Sequence, residues 1–363
     1  MAKRILLSGY FGYGNIGDEA ILEAECAHLR LLRPDLELSV LMDNKARAEE
    51  LQLIAYKRKS LWHIFQAVKA CDLVISGGGG LFQDSTGFGS VMYYGMILAA
   101  ASILGKPSFL FSQGFGPIKT GIGTSLAKAL LPLATKASFR DAESAEEFKK
   151  FAPGVPAEVT ADPVFLLPSF SEEEAGRVLD KCALPDPHKP VLAVIIRNWF
   201  GLDVAEYAKA LNEWAASFDK ESCPQILVIP FQYWFDEGIS RRLTSLLQAD
   251  CVMSPELNVK EMMALFSSPR IELIFSMRLH ALIMGAVCGR SVYGVAYDPK
   301  VERMCALCGA PCVDFTGLRS DKMRECLQEG WKERRERAAD IAAKAANLRE
   351  RAQKAALTAL ELL

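Results

Sequence analysis

Short apolar, often β-branched runs alternate with longer amphipathic stretches along most of this chain. The short runs, bounded by glycine or polar turns, read as buried strands at residues 4–8, 37–41, 73–76, 108–112, 137–140 and 158–160. Helical periodicity fills the intervals at 18–32, 61–70, 91–104, 122–133 and 144–151. Regular strand–helix alternation implies parallel strands with helices on both faces. The pattern breaks over 167–190, where Pro168, Pro185, Pro187 and Pro190 surround one amphipathic helix at 171–182. Ser171 and Glu174 form a capping-box signature at its start. Alternation resumes with strands at 191–196, 226–229, 271–275 and 291–295, and with helices near 205–218, 237–247, 259–266 and 279–287. From Asp321 the chain is one charged, Ala-rich helical run with opposite charges at three- and four-residue spacing. The expected fold class is α/β. Two Rossmann-like, doubly wound domains, at 1–167 and 168–320, face each other across a cleft in the manner of glycosyltransferase-B enzymes. A C-terminal helical segment, 321–363, follows.

A length of 363 residues, half of them hydrophobic, suits two domains with sizeable cores. The formal net charge is −2, and no basic tract marks a nucleic-acid footprint. Lys3 and Arg4 begin like a signal peptide, but Gly9 and Gly12 cut the apolar run short, so a first strand is expected there. The longest apolar stretch, 91–104, is too short to span a bilayer. The expected location is cytoplasmic, with a peripheral contact at the inner face of the membrane left open, as is the oligomeric state. Ten cysteines are scattered without a disulfide framework, which fits reduced thiols. Cys305, Cys308 and Cys312 are close in sequence, with Cys326 beyond them. A second, suitably spaced ligand pair is lacking, so no metal is expected.

Polar chemistry gathers just after the strands. Gly12, Gly14, Asn15, Gly17 and Asp18 follow the first strand and open the first helix. Glycines let a backbone approach a ligand closely, and a helix N-terminus offers free N–H donors. The spacing matches the dinucleotide fingerprint, but no acidic residue closes the second strand. Gly77, Gly78, Gly79 and Gly80 follow another strand and lead to Gln83 and Asp84, which suit sugar hydroxyls. Arg140, Arg197, Arg278 and Lys300 all lie at or just after strand ends, with Asn198 beside Arg197 and His280 beside Arg278. Four such cations in a chain near zero net charge suit a small, strongly anionic substrate. His280 is the best-placed general acid–base group.

These features resemble the polysaccharide pyruvyl transferases, in particular the bacterial S-layer-anchoring CsaB type. The matching motifs run from Ser8-Gly9-Tyr10-Phe11-Gly12 through Gly17-Asp18-Glu19-Ala20, the Ser76–Asp84 loop and Gln113-Gly114-Phe115-Gly116-Pro117. They continue with Phe139-Arg140-Asp141, Ala161-Asp162-Pro163, Arg197-Asn198-Trp199, Ser276 to His280 and Tyr297-Asp298-Pro299-Lys300. The resemblance implies transfer of pyruvate from phosphoenolpyruvate, the donor substrate, onto a sugar as a cyclic ketal, with no cofactor or metal required. For the S-layer type the acceptor is an N-acetylmannosamine unit of a lipid-linked cell-wall polymer precursor, ketalised at its 4- and 6-hydroxyls. Residue type and the resemblance together assign Arg140, Arg197, Arg278 and Lys300 to phosphoenolpyruvate. His280 is the acid–base catalyst, Arg278 and Lys300 stabilise the leaving phosphate, and Asp18 orients or deprotonates the acceptor. Gly14, Asn15, Gly78, Gly79, Asn198, Gln83 and Asp84 are further binding candidates. Two other readings share the pattern: a nucleotide-sugar glycosyltransferase of the same fold and a non-catalytic sugar-binding relative.

Overall fold

Ile5, Leu6 and Leu7 are fully buried although they are consecutive, so their side chains point to opposite faces of a sheet and both faces are covered. The computed structural model describes residues 2–85 and 87–363. It divides into two units. One comprises the residues up to Tyr13, Asp18–Leu166 and Leu348–Leu363; the other comprises Gly14–Gly17 and Leu167–Asn347.

The first unit holds a seven-stranded sheet of β1 (Arg4–Ser8), β2 (Glu37–Leu41), β3 (Ile54–Tyr56), β4 (Leu73–Ser76), β5 (Ser108–Gln113), β6 (Lys136–Phe139) and β7 (Ala157–Val159). Its order is β3-β2-β1-β4-β5-β6-β7, and every pairing is parallel. The second unit holds a six-stranded sheet of β8 (Val191–Ile195), β9 (Gln225–Val228), β10 (Cys251–Met253), β11 (Ile271–Ser276), β12 (Ser291–Ala296) and β13 (Cys312–Asp314). Its order, β10-β9-β8-β11-β12-β13, repeats the first, again all parallel. Helices connect successive strands throughout.

In each sheet the winding direction reverses once, between β1 and β4 and between β8 and β11. Ligands of doubly wound sheets bind outside the carboxyl ends of the strands at such a reversal. Ser8 pairs with Ser76, and Ile195 with Ser276, so the two central strands of each sheet end level. The chain leaves them through the glycine loops in the first unit, and through Arg197 and Arg278 in the second.

The first core stacks Phe82, Phe115, Phe139 and Phe148, all nearly or fully buried. Each such ring contributes about 1.5–3 kcal/mol by leaving water. The second core is built around Trp214, whose ring meets Trp331 edge-on at 5.5 Å. Trp331 lies on the long helix Ser320–Leu360. Up to Asn347 that helix belongs to the second unit, and from Leu348 to the first. There Arg351 donates to the Thr160 carbonyl at 2.8 Å and Thr358 to Glu158 at 2.6 Å. Among the described residues no helix is long and apolar enough to cross a membrane.

The expected strands and helices are present, with ends shifted by a few residues, and Ser171 and Glu174 form a capping box. Three strands were not expected: β3, β10 and β13. Each is a three-residue strand at or beside a sheet edge with partly exposed side chains, too short and too mixed to give an apolar run. The helix Pro299–Cys308 was also not expected, although Asp298 caps it and proline occupies its first turn.

Candidate active site

In the second unit Arg278 is the N-cap of the helix Leu279–Val287, whose first turn carries His280. The Arg278 N–H donates to the Ser276 hydroxyl at 2.9 Å, which fixes the turn out of β11. Its guanidinium is buried and pairs through Nη2 with Asp236 Oδ2 at 2.5 Å, while its Nε–H is buried without a hydrogen-bond partner among the described residues. Asp236 is fully buried and also accepts from the Gln232 N–H at 3.0 Å and the Asn198 N–H at 3.5 Å. Asn198 and Arg278 are thereby tied to one carboxylate.

His280 faces Gly17. A Cβ placed on Gly17 would lie 2.1 Å from His280 Nδ1, so only glycine fits there. Asn15 accepts from the Gly17 N–H at 3.2 Å, and Ile16 donates to the Phe231 carbonyl at 3.4 Å. This explains why Gly14–Gly17 group with the second unit although they follow β1. Gly14 itself is exposed with φ +68°.

Arg197 follows β8. Its guanidinium sits over the rings of Trp199 at 5.0 Å and Tyr297 at 5.1 Å, and it donates to the Tyr297 hydroxyl. Lys300 lies over the same Tyr297 ring at 5.7 Å and pairs with Asp298 at 3.4 Å. A cavity of about 320 Å³ opens beside Trp199 and Tyr297. Arg197, Asn198, Arg278, His280 and Lys300 thus all belong to one unit and one sheet edge.

Arg140 belongs to the first unit. It is buried, with Nη1 on Asp162 Oδ2 at 3.0 Å and Nε 3.8 Å from Asp141. It packs against Gly114, where a Cβ would lie 2.6 Å from Nη2. The bare backbone after β5 is therefore filled by this protein's own guanidinium. The same holds at Gly78, whose N–H donates to Glu25 at 2.7 Å and whose Cβ would press on Ile21 and Pro163. Gly79, at φ +100°, lies near Asp18, whose Oδ1 would be 3.4 Å from a Cβ there.

Gln83 accepts from the Ser85 N–H at 2.7 Å. Asp84 is buried and accepts from the backbone N–H groups of Lys119 and Thr120 and from the Thr120 hydroxyl. Burial alone would raise its pKa. The bonds from Thr120 and Lys119 outweigh that and hold it low. Both carboxylate oxygens are thus committed to the loop that starts the helix Gly121–Leu130. Cys305 and Cys308 lie on the helix Pro299–Cys308 and Cys312 on β13.

Asp236 and Glu25 belong to no motif seen in the sequence, and Asp162 and Tyr297 fall inside recognised motifs without an assigned role. A buried acid is signalled only by its partner. Burial pushes the Glu25 carboxyl up to about 8, against the Gly78 hydrogen bond that lowers it. Between its ordinary value of 4.5 and about 8, the folded chain keeps a proton that the unfolded chain has released. Stability therefore falls as pH rises through that window, by up to about 1.4 kcal/mol per pH unit. Glu25→Gln is expected to match the parent protein in urea unfolding at pH 4.5 and to exceed it at pH 8. An equal difference at both pH values would contradict this assignment.

Two doubly wound parallel sheets joined to a long terminal helix define a glycosyltransferase-B-like protein. Solved structures with this fold cover nearly the whole chain. UDP-GlcNAc 2-epimerase from Neisseria meningitidis, bound to UDP-GlcNAc, matches with TM-score 0.63 and 12% identity over 99% of each chain. Anabaena HepE in complex with UDP-glucose matches with TM-score 0.62 and 12% identity over 99% of this chain and 98% of its own. A glycosyltransferase from Rickettsia africae matches with TM-score 0.60 and 10% identity over 99% of this chain and 95% of its own. At these identities the likeness concerns the fold. No curated protein matches the sequence. The family model of the polysaccharide pyruvyl transferases matches residues 15–299, and the chain belongs to that family. It is therefore a transferase that acts in pyruvyl transfer to polysaccharide.

Proposed function

We propose that the protein transfers pyruvate from phosphoenolpyruvate to N-acetylmannosamine of a lipid-linked cell-wall polymer precursor, forming a 4,6-ketal of the S-layer-anchoring type. The observation that carries this reading is the second unit's set of Arg197, Arg278 and Lys300 with His280 after the strands at the sheet reversal. Phosphoenolpyruvate has a carboxylate and a phosphate, and such a set meets both with charge-assisted hydrogen bonds. The open Arg278 Nε–H is one such donor.

In this mechanism His280 gives a proton to the methylene carbon, leaving positive charge on the carbon that bears phosphate. An acceptor hydroxyl oxygen bonds to that carbon, and its proton passes to Asp18. The C–O bond to phosphate breaks, the phosphate taking the electron pair and being stabilised by Arg278 and Lys300. The second hydroxyl then closes the ketal and its proton is released. Arg197, Arg278 and Lys300 are assigned to the donor, and Asp18, Gln83 and the loops after β1 and β4 to the acceptor. A lipid-linked acceptor, and with it work at the inner membrane face, is supported by the exposed Leu61, Trp62 and Phe65 on the helix Leu61–Ala70, preceded by exposed Lys57 and Lys59.

Incubation with phosphoenolpyruvate and a panel of free and lipid-linked N-acetylmannosaminyl acceptors is expected to release phosphate and add one pyruvyl mass to a panel member. Mass spectrometry reads the product. No mass change across the panel sinks the acceptor assignment. A thermal shift with UDP and none with phosphoenolpyruvate would sink the donor and favour a nucleotide-sugar transferase.

A further inference from the structure

Three arginines are buried among the described residues: Arg58, Arg140 and Arg278. Arg140 has Asp162 and Asp141, and Arg278 has Asp236. Arg58 is only 7% exposed, yet it makes no ion pair among the described residues, and its Nη1 is buried without a hydrogen-bond partner. A guanidinium cannot shed its proton, and a buried cation without a counter-charge is costly. The surroundings offset part of that cost, since the Tyr93 and Tyr94 side chains make polar contact with the guanidinium and aromatic rings flank it. The guanidinium carbon lies 4.8 Å from the ring centroid of Tyr13, 5.2 Å from Tyr93 and 6.0 Å from Tyr10. Aromatic faces attract a cation but do not neutralise it.

One side of this box is accessible. Tyr10 and Tyr13 stack on each other at 4.5 Å and are 39% and 38% exposed. Both belong to the loop after β1, and Arg58 follows β3. The sheet is all-parallel, so Arg58 emerges at the edge where the loops after β1 and β4 also emerge. Asp18 influences Tyr10 and Tyr94, and Asp43 influences Tyr93. The helix that begins three residues after Arg58 presents the exposed Leu61, Trp62 and Phe65.

We propose that Arg58, boxed by Tyr10, Tyr13 and Tyr93, is an anion subsite that takes a phosphoryl group carried by the acceptor, with the stacked Tyr10–Tyr13 pair receiving the sugar beside it. The guanidinium fork matches a tetrahedral oxyanion with parallel N–H donors, and tyrosine faces suit the apolar face of a pyranose. The subsite lies in the unit that holds Asp18, apart from the set assigned to the donor. That the bound ester is an acceptor rests on the pyruvyl transfer reading; the anion chemistry of the site does not.

The test is calorimetry on the full-length protein with N-acetylmannosamine 1-phosphate and free N-acetylmannosamine, which needs no turnover. The phosphate ester is expected to bind at least tenfold more tightly. Arg58→Gln should abolish that preference without lowering Tm, since it removes an uncompensated charge. Arg58→Lys should retain part of it, and the thermal shift given by phosphoenolpyruvate should not change. The proposal is overturned if the parent protein shows no preference, if the preference survives Arg58→Gln, or if that variant loses Tm and weakens both ligands alike. A phosphate preference in a protein that transfers no pyruvate would refute the donor reading and leave the subsite standing.

Discussion

Replacing His280 by alanine is expected to lower turnover by roughly 10²–10⁴-fold, the usual contribution of a positioned general acid. The proposed reaction begins by protonating a vinylic carbon, and His280 sits in the first helical turn after β11, beside Arg278. The helix Leu279–Val287 holds the residue by its backbone, with Arg278 as N-cap, and Gly17 lets the imidazole close on the loop after β1. Phosphoenolpyruvate affinity should survive, because the cations that bind it are untouched. The loss should therefore fall on kcat and leave the KM for phosphoenolpyruvate within a few-fold. Steady-state kinetics with phosphate release as the readout separates the two. Activity within a factor of ten of the parent, in a protein of unchanged Tm, would remove His280 from the mechanism.

The second large effect is expected at Asp236. Its carboxylate is the counter-charge of buried Arg278 and also holds the Gln232 and Asn198 N–H groups. Asp236→Ala leaves a cation buried and unpaired, which costs about 3–5 kcal/mol. It also frees Arg278 to leave its place, so the KM for phosphoenolpyruvate should rise. The double variant Asp236→Ala, Arg278→Met should recover much of the stability but none of the activity, because an apolar replacement of a buried pair is often near neutral. Urea unfolding of the two single variants and the double variant gives the coupling energy directly. A cost below about 1 kcal/mol for Asp236→Ala would mean that Arg278 is compensated by something else.

Much of the architecture was legible because it is local. Central strands such as Arg4–Ser8 and Ile271–Ser276 are buried on both faces and read as continuous apolar runs. Ser171 and Glu174 announced their helix because a capping box is a three-residue relation. Polar residues after strands were legible for the same reason, since a parallel sheet sends the end of every strand to one edge. What failed was equally physical. β3 follows a turn and is half-exposed, so its end, and with it Arg58 in the Lys57-Arg58-Lys59 run, carried no strand signal. Gln83 and Asp84 are sugar-ligand candidates by residue type, and only the fold shows that Gln83 also accepts from the Ser85 N–H and Asp84 from the N–H groups of Lys119 and Thr120.

The sequence by itself determined the alternation of strands and helices, the parallel sheets that follow from it, and which cations and which histidine would emerge at the strand ends. Those are consequences of hydrophobic period and of chain connectivity over a few residues. Only the tertiary structure decided how each cation is compensated. Arg278 meets Asp236, Arg140 meets Asp162, Gly17 meets His280, and Arg58 meets a group of tyrosines. These partners are brought together by strand order and helix packing across long separations in the chain. No local pattern records them, because a carboxylate that ends up beside a buried guanidinium looks, in sequence, like any other acid on a solvated helix.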